Sequence, residues 1–244
     1  MENKVKSFAG FKKFKKLIIL LILIFASGVS VYAQESKEKS GSIFDRPFFD
    51  ATDFFFGLTP TIYISTSEST QGAVSPISFP VYFGIEWPND NWFSFQPSVK
   101  IFTGYYLVED GQVLPAEVEN RTALAFNLLL NVPVVFQANF WENSNLRLSA
   151  GIAFLFRFAI LASDVGANDY GYTGSASGDV AMINKWFYSG LKFLYLTGGA
   201  DWLFKLNEYV MLGPEVSINF PLGMVISNFS LEGTIISVGV KVVF

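Results

Sequence analysis

Eight charged residues stand inside stretches that are otherwise apolar at every second position: Glu86, Lys100, Arg147, Arg157, Asp201, Lys205, Glu215 and Lys241. Side chains of a β-strand alternate between its two faces. Each of the eight falls on the face opposite the apolar one, among Ser, Gly, Asn and Gln. Charges of both signs on an inner face have two uses. They pair and close an interior, or they line a path for a solute. Catalysis has less to work with. The 244-residue chain contains no His and no Cys, which removes imidazole chemistry, the commonest metal ligand, the thiolate nucleophile and any disulfide framework. Asp–Asp and Ser–Lys pairs are available by composition, but no spacing singles one out. No D-x-D-x-D-G series marks a calcium loop. The sequence therefore predicts a non-enzymatic protein without a cofactor or a dedicated metal site.

The elements that must hold these charges are eight alternating stretches, at about 54–66, 77–87, 92–107, 122–140, 146–162, 191–206, 209–222 and 234–244. In the first, Phe54, Phe56, Leu58, Pro60, Ile62 and Ile64 share a face; in the fifth, Leu148, Ala150, Ile152, Phe154, Phe156, Phe158 and Ile160 do. The last stretch runs T-I-I-S-V-G-V-K-V-V-F to the chain end, with Ile236, Val238, Val240, Val242 and Phe244 on one face and Lys241 on the other. A soluble sandwich would put polar residues on its outer faces. Here the uniform face is apolar and rich in Phe, while no apolar run beyond the first 33 residues is long enough for a spanning helix. Apolar outside and polar inside is the arrangement of a closed transmembrane barrel.

The connections alternate in length. Those after the second, fourth and sixth stretches are short turns; the others are longer, the longest being 163–190. Short periplasmic turns and longer external loops fit the same barrel class. Trp87, Trp92, Phe140, Trp141, Tyr209 and Phe244 fall at the short-turn end, and Tyr105, Tyr106, Trp186, Phe187 and Tyr188 at the long-loop end, where interfacial aromatic belts belong. The external connections are acidic, with Glu109, Asp110, Glu117 and Glu119 in the second and Asp164, Asp169 and Asp179 in the third. They are either a solvated surface or a site for a surface ligand. Six prolines, Pro60, Pro80, Pro97, Pro133, Pro214 and Pro221, interrupt the stretches. A proline lacks a ladder donor, so each marks a bulge near a strand end or a place where the wall opens sideways.

Residues 1–33 read as a secretory signal peptide: six lysines within Met1–Lys16, a continuous apolar run over 17–25, and Val31-Tyr32-Ala33 before Gln34. Cleavage near Ala33 leaves 34–53 as a periplasmic lead-in and 54–244 as the barrel. The whole chain has 17 basic and 21 acidic residues; without the leader's six lysines and one glutamate, 11 and 20 remain, a net charge of −9. An acidic exported protein is a poor partner for nucleic acid.

A terminal Phe closing an alternating strand resembles the signal that bacterial outer-membrane barrels present to their assembly machinery, which would make Val240, Val242 and Phe244 its recognition residues. Val132-Pro133-Val134 followed by Gly151 is similar to the strand pair of the outer-membrane β-barrel domain of small bacterial surface proteins; Asn131 stands where that family has an acidic residue. The overall plan resembles the eight-stranded, porin-like proteins of the OmpX and OmpW kind. The resemblance implies an all-β, up-and-down antiparallel barrel in a bacterial outer membrane, with lipid and the assembly machinery as partners and no catalytic residues; barrels of this location that are enzymes generally use a His. Two functions fit: a structural or surface-interaction role through the acidic external loops, or a narrow channel or conduit for small or hydrophobic solutes through the lumen or the wall.

Overall fold

Three of the eight expected strands are each cut in two beside a proline. In the computed structural model, which describes residues 52–66, 72–73, 75–88, 92–141, 143–207, 209–227 and 230–244, the first is β1 (Asp53–Leu58) and β2 (Thr61–Tyr63), parted at Thr59-Pro60. The second is β3 (Ile77–Ser78) and β4 (Val81–Glu86), parted at Phe79-Pro80. The third is β5 (Phe93–Phe95) and β6 (Ser98–Glu109), parted at Gln96-Pro97. A residue with no N–H interrupts the ladder, and the chain bends there. The signal peptide ending at Ala33, most of the 34–53 lead-in and the turn residues 89–91 lie outside the described residues.

The remaining staves are β8 (Ala123–Trp141), β9 (Ser144–Leu161), β10 (Leu194–Lys205), β11 (Met211–Pro221) and β12 (Ile235–Val243). Each pairs antiparallel with its sequence neighbour, in the order β1-β4-β6-β8-β9-β10-β11-β12. β12 then returns to β1, with Phe55 opposite Val243 and Leu58 opposite Val240. The chain is thus a closed, eight-stranded, up-and-down transmembrane β-barrel. Its seam is tied at the end by reciprocal backbone bonds: the Phe54 N–H donates to the Phe244 carbonyl at 3.2 Å, and the Phe244 N–H to the Phe54 carbonyl at 2.8 Å. Closure pairs the first strand with the last, so the seam offers no edge for another chain to template.

The outer face is exposed and apolar: Phe54, Leu58, Phe83, Phe126, Phe158, Trp202, Val238 and Val240 all stand out from the wall. The inner face is buried and layered. Phe55, Tyr82, Leu203 and Val243 pack at the short-turn half, Leu129, Ala153, Leu155, Tyr195 and Ile235 at mid-height, and Tyr106, Val113, Ala123, Ala125 and Ala159 toward the long loops.

Two connections differ from the sequence expectation. The second external one is not a loop. β6 runs on past the wall and turns at Asp110-Gly111, both at positive φ, into β7 (Gln112–Pro115), which pairs back on it from Glu109↔Gln112 to Tyr106↔Pro115. The third contains a helix, α1 (Ala176–Phe187), with Ser175 as N-cap; its hydroxyl accepts from the Gly178 N–H. Ile183 and Phe187 of α1 are wholly buried against Tyr106, Ala123 and Ala159. Tyr106 and Phe187 are therefore interior plug residues rather than members of an aromatic belt, and Trp186 packs on the same cluster. A short helix, α2 (Leu222–Ser227), follows β11.

Candidate functional site: a sealed lumen and a window in its wall

The strand phase that puts apolar side chains in lipid puts six charges into one network inside. Arg147 on β9 donates from Nε to Asp201 Oδ1 at 2.6 Å and from Nη2 to Asp201 Oδ2 at 3.0 Å. Its Nη1 reaches across the lumen to Glu86 Oε2 at 2.5 Å. Lys241 donates to Asp201 Oδ2 and to Gln96 Oε1, each at 2.9 Å, and lies 3.3 Å from Glu215 Oε2. Glu86 also accepts from Ser94 Oγ and Gln96 Nε2, and Glu215 from the Tyr82 hydroxyl. Lys100 donates to Ser217 Oγ at 3.0 Å and sits over the Tyr82 ring. Three carboxylates meet three cations, so the belt is neutral, and all six side chains are nearly inaccessible to water. Buried ions are tolerated when paired and hydrogen-bonded, and the network pairs Arg147 and Lys241 with Glu86, Asp201 and Glu215, while Lys100 is held by Ser217 and the Tyr82 ring. What remains open among Gln96, Lys100, Asp201 and Lys241 is a cavity of about 30 Å³, room for about one water molecule.

Arg157 and Lys205 lie outside this belt. Lys205 is exposed at the short-turn mouth, where it lines a cavity of about 530 Å³ with Asp53, Asn143 and Asn207. Arg157 is 3% exposed in the upper lumen. Its Nη2 donates to the Lys192 carbonyl at 3.2 Å and weakly to that of Phe187 at 3.5 Å. The guanidinium lies 4.4 Å from the Phe187 ring centre and 5.4 Å from that of Trp186. No carboxylate pairs with it among the described residues, and Nε and Nη1 have no acceptor. Tyr106, Tyr195 and Tyr63 lie within its electrostatic reach. Burial and the positive charge of Arg157 hold the nearby Lys192 ammonium below its ordinary pKa.

Among the described residues, the wall beside Arg157 is incomplete. β4 and β6 pair from Gly84↔Ser98 up to Val81↔Ile101 and no further. β3 turns to β2 instead, and the upper part of β6 is taken by β7. Ala73 and Gly72 bridge to Pro115 and Ala116, closing the wall again above. The result is a framed window between β3 and β6, with Pro80 at its foot. Behind it lies a cavity of about 350 Å³ lined by Ile77, Phe79, Phe102, Gly104, Tyr63 and Tyr106. Phe79 and Ile77 are 78% and 62% exposed on the lipid side of the frame.

Above the wall the external segments form one packed cap. Asp179 of α1 is buried and accepts from the backbone N–H groups of Tyr172 and Thr173 and from the Thr173 hydroxyl. Arg121 pairs with Asp164 at 2.9 Å and lies over the Tyr105 ring. Thus Asp164, Asp169 and Asp179 each hold a partner within the cap, whereas Asp110, Glu117 and Glu119 stay exposed. Of the partners that complete the belt, Tyr82, Ser94, Gln96 and Ser217 share the inward phase of the charges and are legible by it. The tyrosines around Arg157 are legible only in part, because Tyr106 reads equally well as a belt residue.

No family model and no curated protein matches the chain. Several solved structures are similar to it. They include Neisserial surface protein A, NspA (8% identity, 79% of this chain and 95% of that one, TM-score 0.47), and the outer membrane protein OprG from Pseudomonas aeruginosa (10%, 80% and 96%, 0.47). Ail, the attachment invasion locus protein of Yersinia pestis, is similar at 8% identity over 79% of this chain and 97% of that one, with a TM-score of 0.42.

Proposed function

We propose that this chain is a non-enzymatic outer-membrane barrel, sealed along its axis, that works through the cap it presents outside the cell. The neutral ion-pair belt carries this reading. It spans the lumen from Glu86 through Arg147 and Asp201 to Lys241 and leaves space for about one water. An eight-stranded barrel is in any case just wide enough for its side chains to fill. The cap is ordered by α1 and the β6–β7 hairpin, and Asp110, Glu117 and Glu119 give its exposed part a negative charge suited to a cationic surface partner. In planar bilayers the refolded mature chain should give no stable conductance steps; regular, charge-selective steps would overturn the sealed axis. Cells displaying the barrel should capture a fluorescent oligolysine better than cells displaying the Asp110→Asn, Glu117→Gln, Glu119→Gln variant. Equal capture would remove the acidic cap from the reading.

A second reading is favoured by the window between β3 and β6. Its frame is apolar on the lipid side, and its cavity is within the lower range, roughly 300–1,000 Å³, of small-molecule sites. With the axis closed below it, this cavity suits a small apolar solute passing sideways between the upper chamber and the bilayer. Uptake of a hydrophobic solute by cells should then fall when the window is filled and stay unchanged when the exposed cap acids are neutralised.

A further inference from the structure

The window cavity and the unpaired Arg157 lie at the same height of the barrel. Asn127, which lines the cavity, is the ladder partner of Arg157 across β8 and β9. Tyr63 and Tyr106 line the cavity, and Tyr106 packs at 5.0 Å on the Phe187 ring that the guanidinium covers. The contrast with the lower belt is chemical. There, three cations are matched by three carboxylates. Here a cation 3% exposed has two aromatic faces, two backbone carbonyls and two nitrogens with no acceptor among the described residues. Glu232, at the rim, is bonded to Thr66. A desolvated charge without a counter-charge is costly, and an anion brought close to it would offset that cost.

We propose that the window is a binding site for a bilayer-borne amphiphile with a single acidic head, the tail lying among Ile77, Phe79 and Phe102 and the head meeting Tyr63, Tyr106 and the positive field of Arg157. The proposal rests on the lateral reading above and names its ligand class. Three observations select this class. The frame opens onto the apolar outer face, so entry is from lipid. The tail portion of the cavity is apolar. The charge on the strand position paired with its Asn127 lining is positive, and the hydroxyls of the lining tyrosines can donate hydrogen bonds. A cation or an uncharged head would leave Arg157 without a counter-charge.

The test uses the refolded mature chain in nanodiscs of zwitterionic lipid, with radiolabelled decanoate and decanol as probes that share a tail and differ in charge. Wild type should bind decanoate saturably, about tenfold or more tighter than decanol, as expected for a hydrogen-bonded charge contact. Arg157→Gln should abolish that preference and Arg157→Lys should keep most of it. Gly104→Leu should weaken both probes, because a Cβ at Gly104 meets only ordinary contacts at 3.7 Å and projects into the cavity. An unchanged preference in Arg157→Gln would overturn the head-group site while leaving lateral entry standing. Unchanged binding of both probes by Gly104→Leu would overturn the window reading itself. Displacement of decanoate by equimolar acetate would show a water-reached anion site and overturn the amphiphile. Should Arg157→Gln fail to give a heat-modifiable band, Tyr106→Phe takes its place: a reduced preference supports the proposal, an unchanged one overturns it.

Discussion

Arg147 holds both oxygens of Asp201 from the neighbouring strand while its third nitrogen crosses the lumen to Glu86. One planar guanidinium thereby joins β9 and β10 side by side and β9 to β4 across the barrel. A lysine could not reproduce this, since a bidentate grip needs the rigid fork.

Replacing Arg147 by Met would leave Glu86 and Asp201 short of their counter-charge in a site with almost no water. Breaking one partner of a buried pair costs about 3–5 kcal/mol. Urea unfolding in lipid vesicles should show a loss of that order. Adding Glu86→Gln to the same chain should restore much of it, because Lys100 and Lys241 then stand against Asp201 and Glu215 and the belt is neutral again.

Gly151 faces Pro133 across the β8–β9 ladder, and a Cβ there would stand 2.5 Å from the Val132 carbonyl oxygen and 2.6 Å from the Pro133 Cα. Both are backbone atoms in a long paired strand and cannot step aside. Gly151→Ala should therefore destabilise the barrel by about 1–3 kcal/mol, the usual penalty of overpacking. Gly104→Ala, whose Cβ would make only ordinary contacts at 3.7 Å, should be neutral or slightly stabilising by its effect on the unfolded chain. Equal stability of the two variants in denaturant titrations would contradict this account.

The terminal residue has two separable roles. Deleting Phe244 removes both seam bonds to Phe54 and should cost about 1–3 kcal/mol in vitro. Phe244→Ala keeps the backbone and should refold almost normally. If the side chain is also what the assembly machinery reads, as its resemblance to the outer-membrane signal implies, the same substitution should lower the amount of barrel in cells. Fractionation of cells set beside in vitro melting separates the two roles.

Asp179 accepts three bonds from Tyr172 and Thr173 and so ties the loop ahead of α1 to the helix. Asp179→Ala strands two backbone donors, at about 1–3 kcal/mol of local stability. Limited proteolysis should then cut near Tyr172 first, with the barrel still shifting on a cold denaturing gel. Simultaneous loss of the barrel band would show that the cap and wall fold as one unit.

Period-two alternation made the staves legible, because in lipid the outer face must be apolar without exception, and each exception is thrown inward. The chain end was legible for the same reason: Phe244 continues the phase of Val240 and Val242. The β6–β7 hairpin had a local cue that the acidic composition hid, Asp110-Gly111 between Val108-Glu109 and Gln112-Val113, a common two-residue turn signal. The helix had one too, Ser175 followed by Ala176, Asp179, Ile183 and Phe187 at helical spacing, yet the Gly and Ser around it read as loop. The window had no cue of its own. Pro80 showed that a ladder bond was missing, but whether β6 would pair upward with β3 or with β7 is a competition between distant segments, decided by tertiary packing.

The ion-pair belt also bears on how the sheet closes. Arg147 and Asp201 are on adjacent strands and can meet in an open sheet, but Glu86 reaches Arg147, and Lys100 reaches Ser217, only when the sheet has curled fully round. A half-rolled intermediate would carry ions already stripped of water and not yet matched, a high-energy arrangement. The belt thus acts as a latch, penalising partly rolled states and making closure in the bilayer cooperative, with the final click supplied by residues more than sixty positions apart.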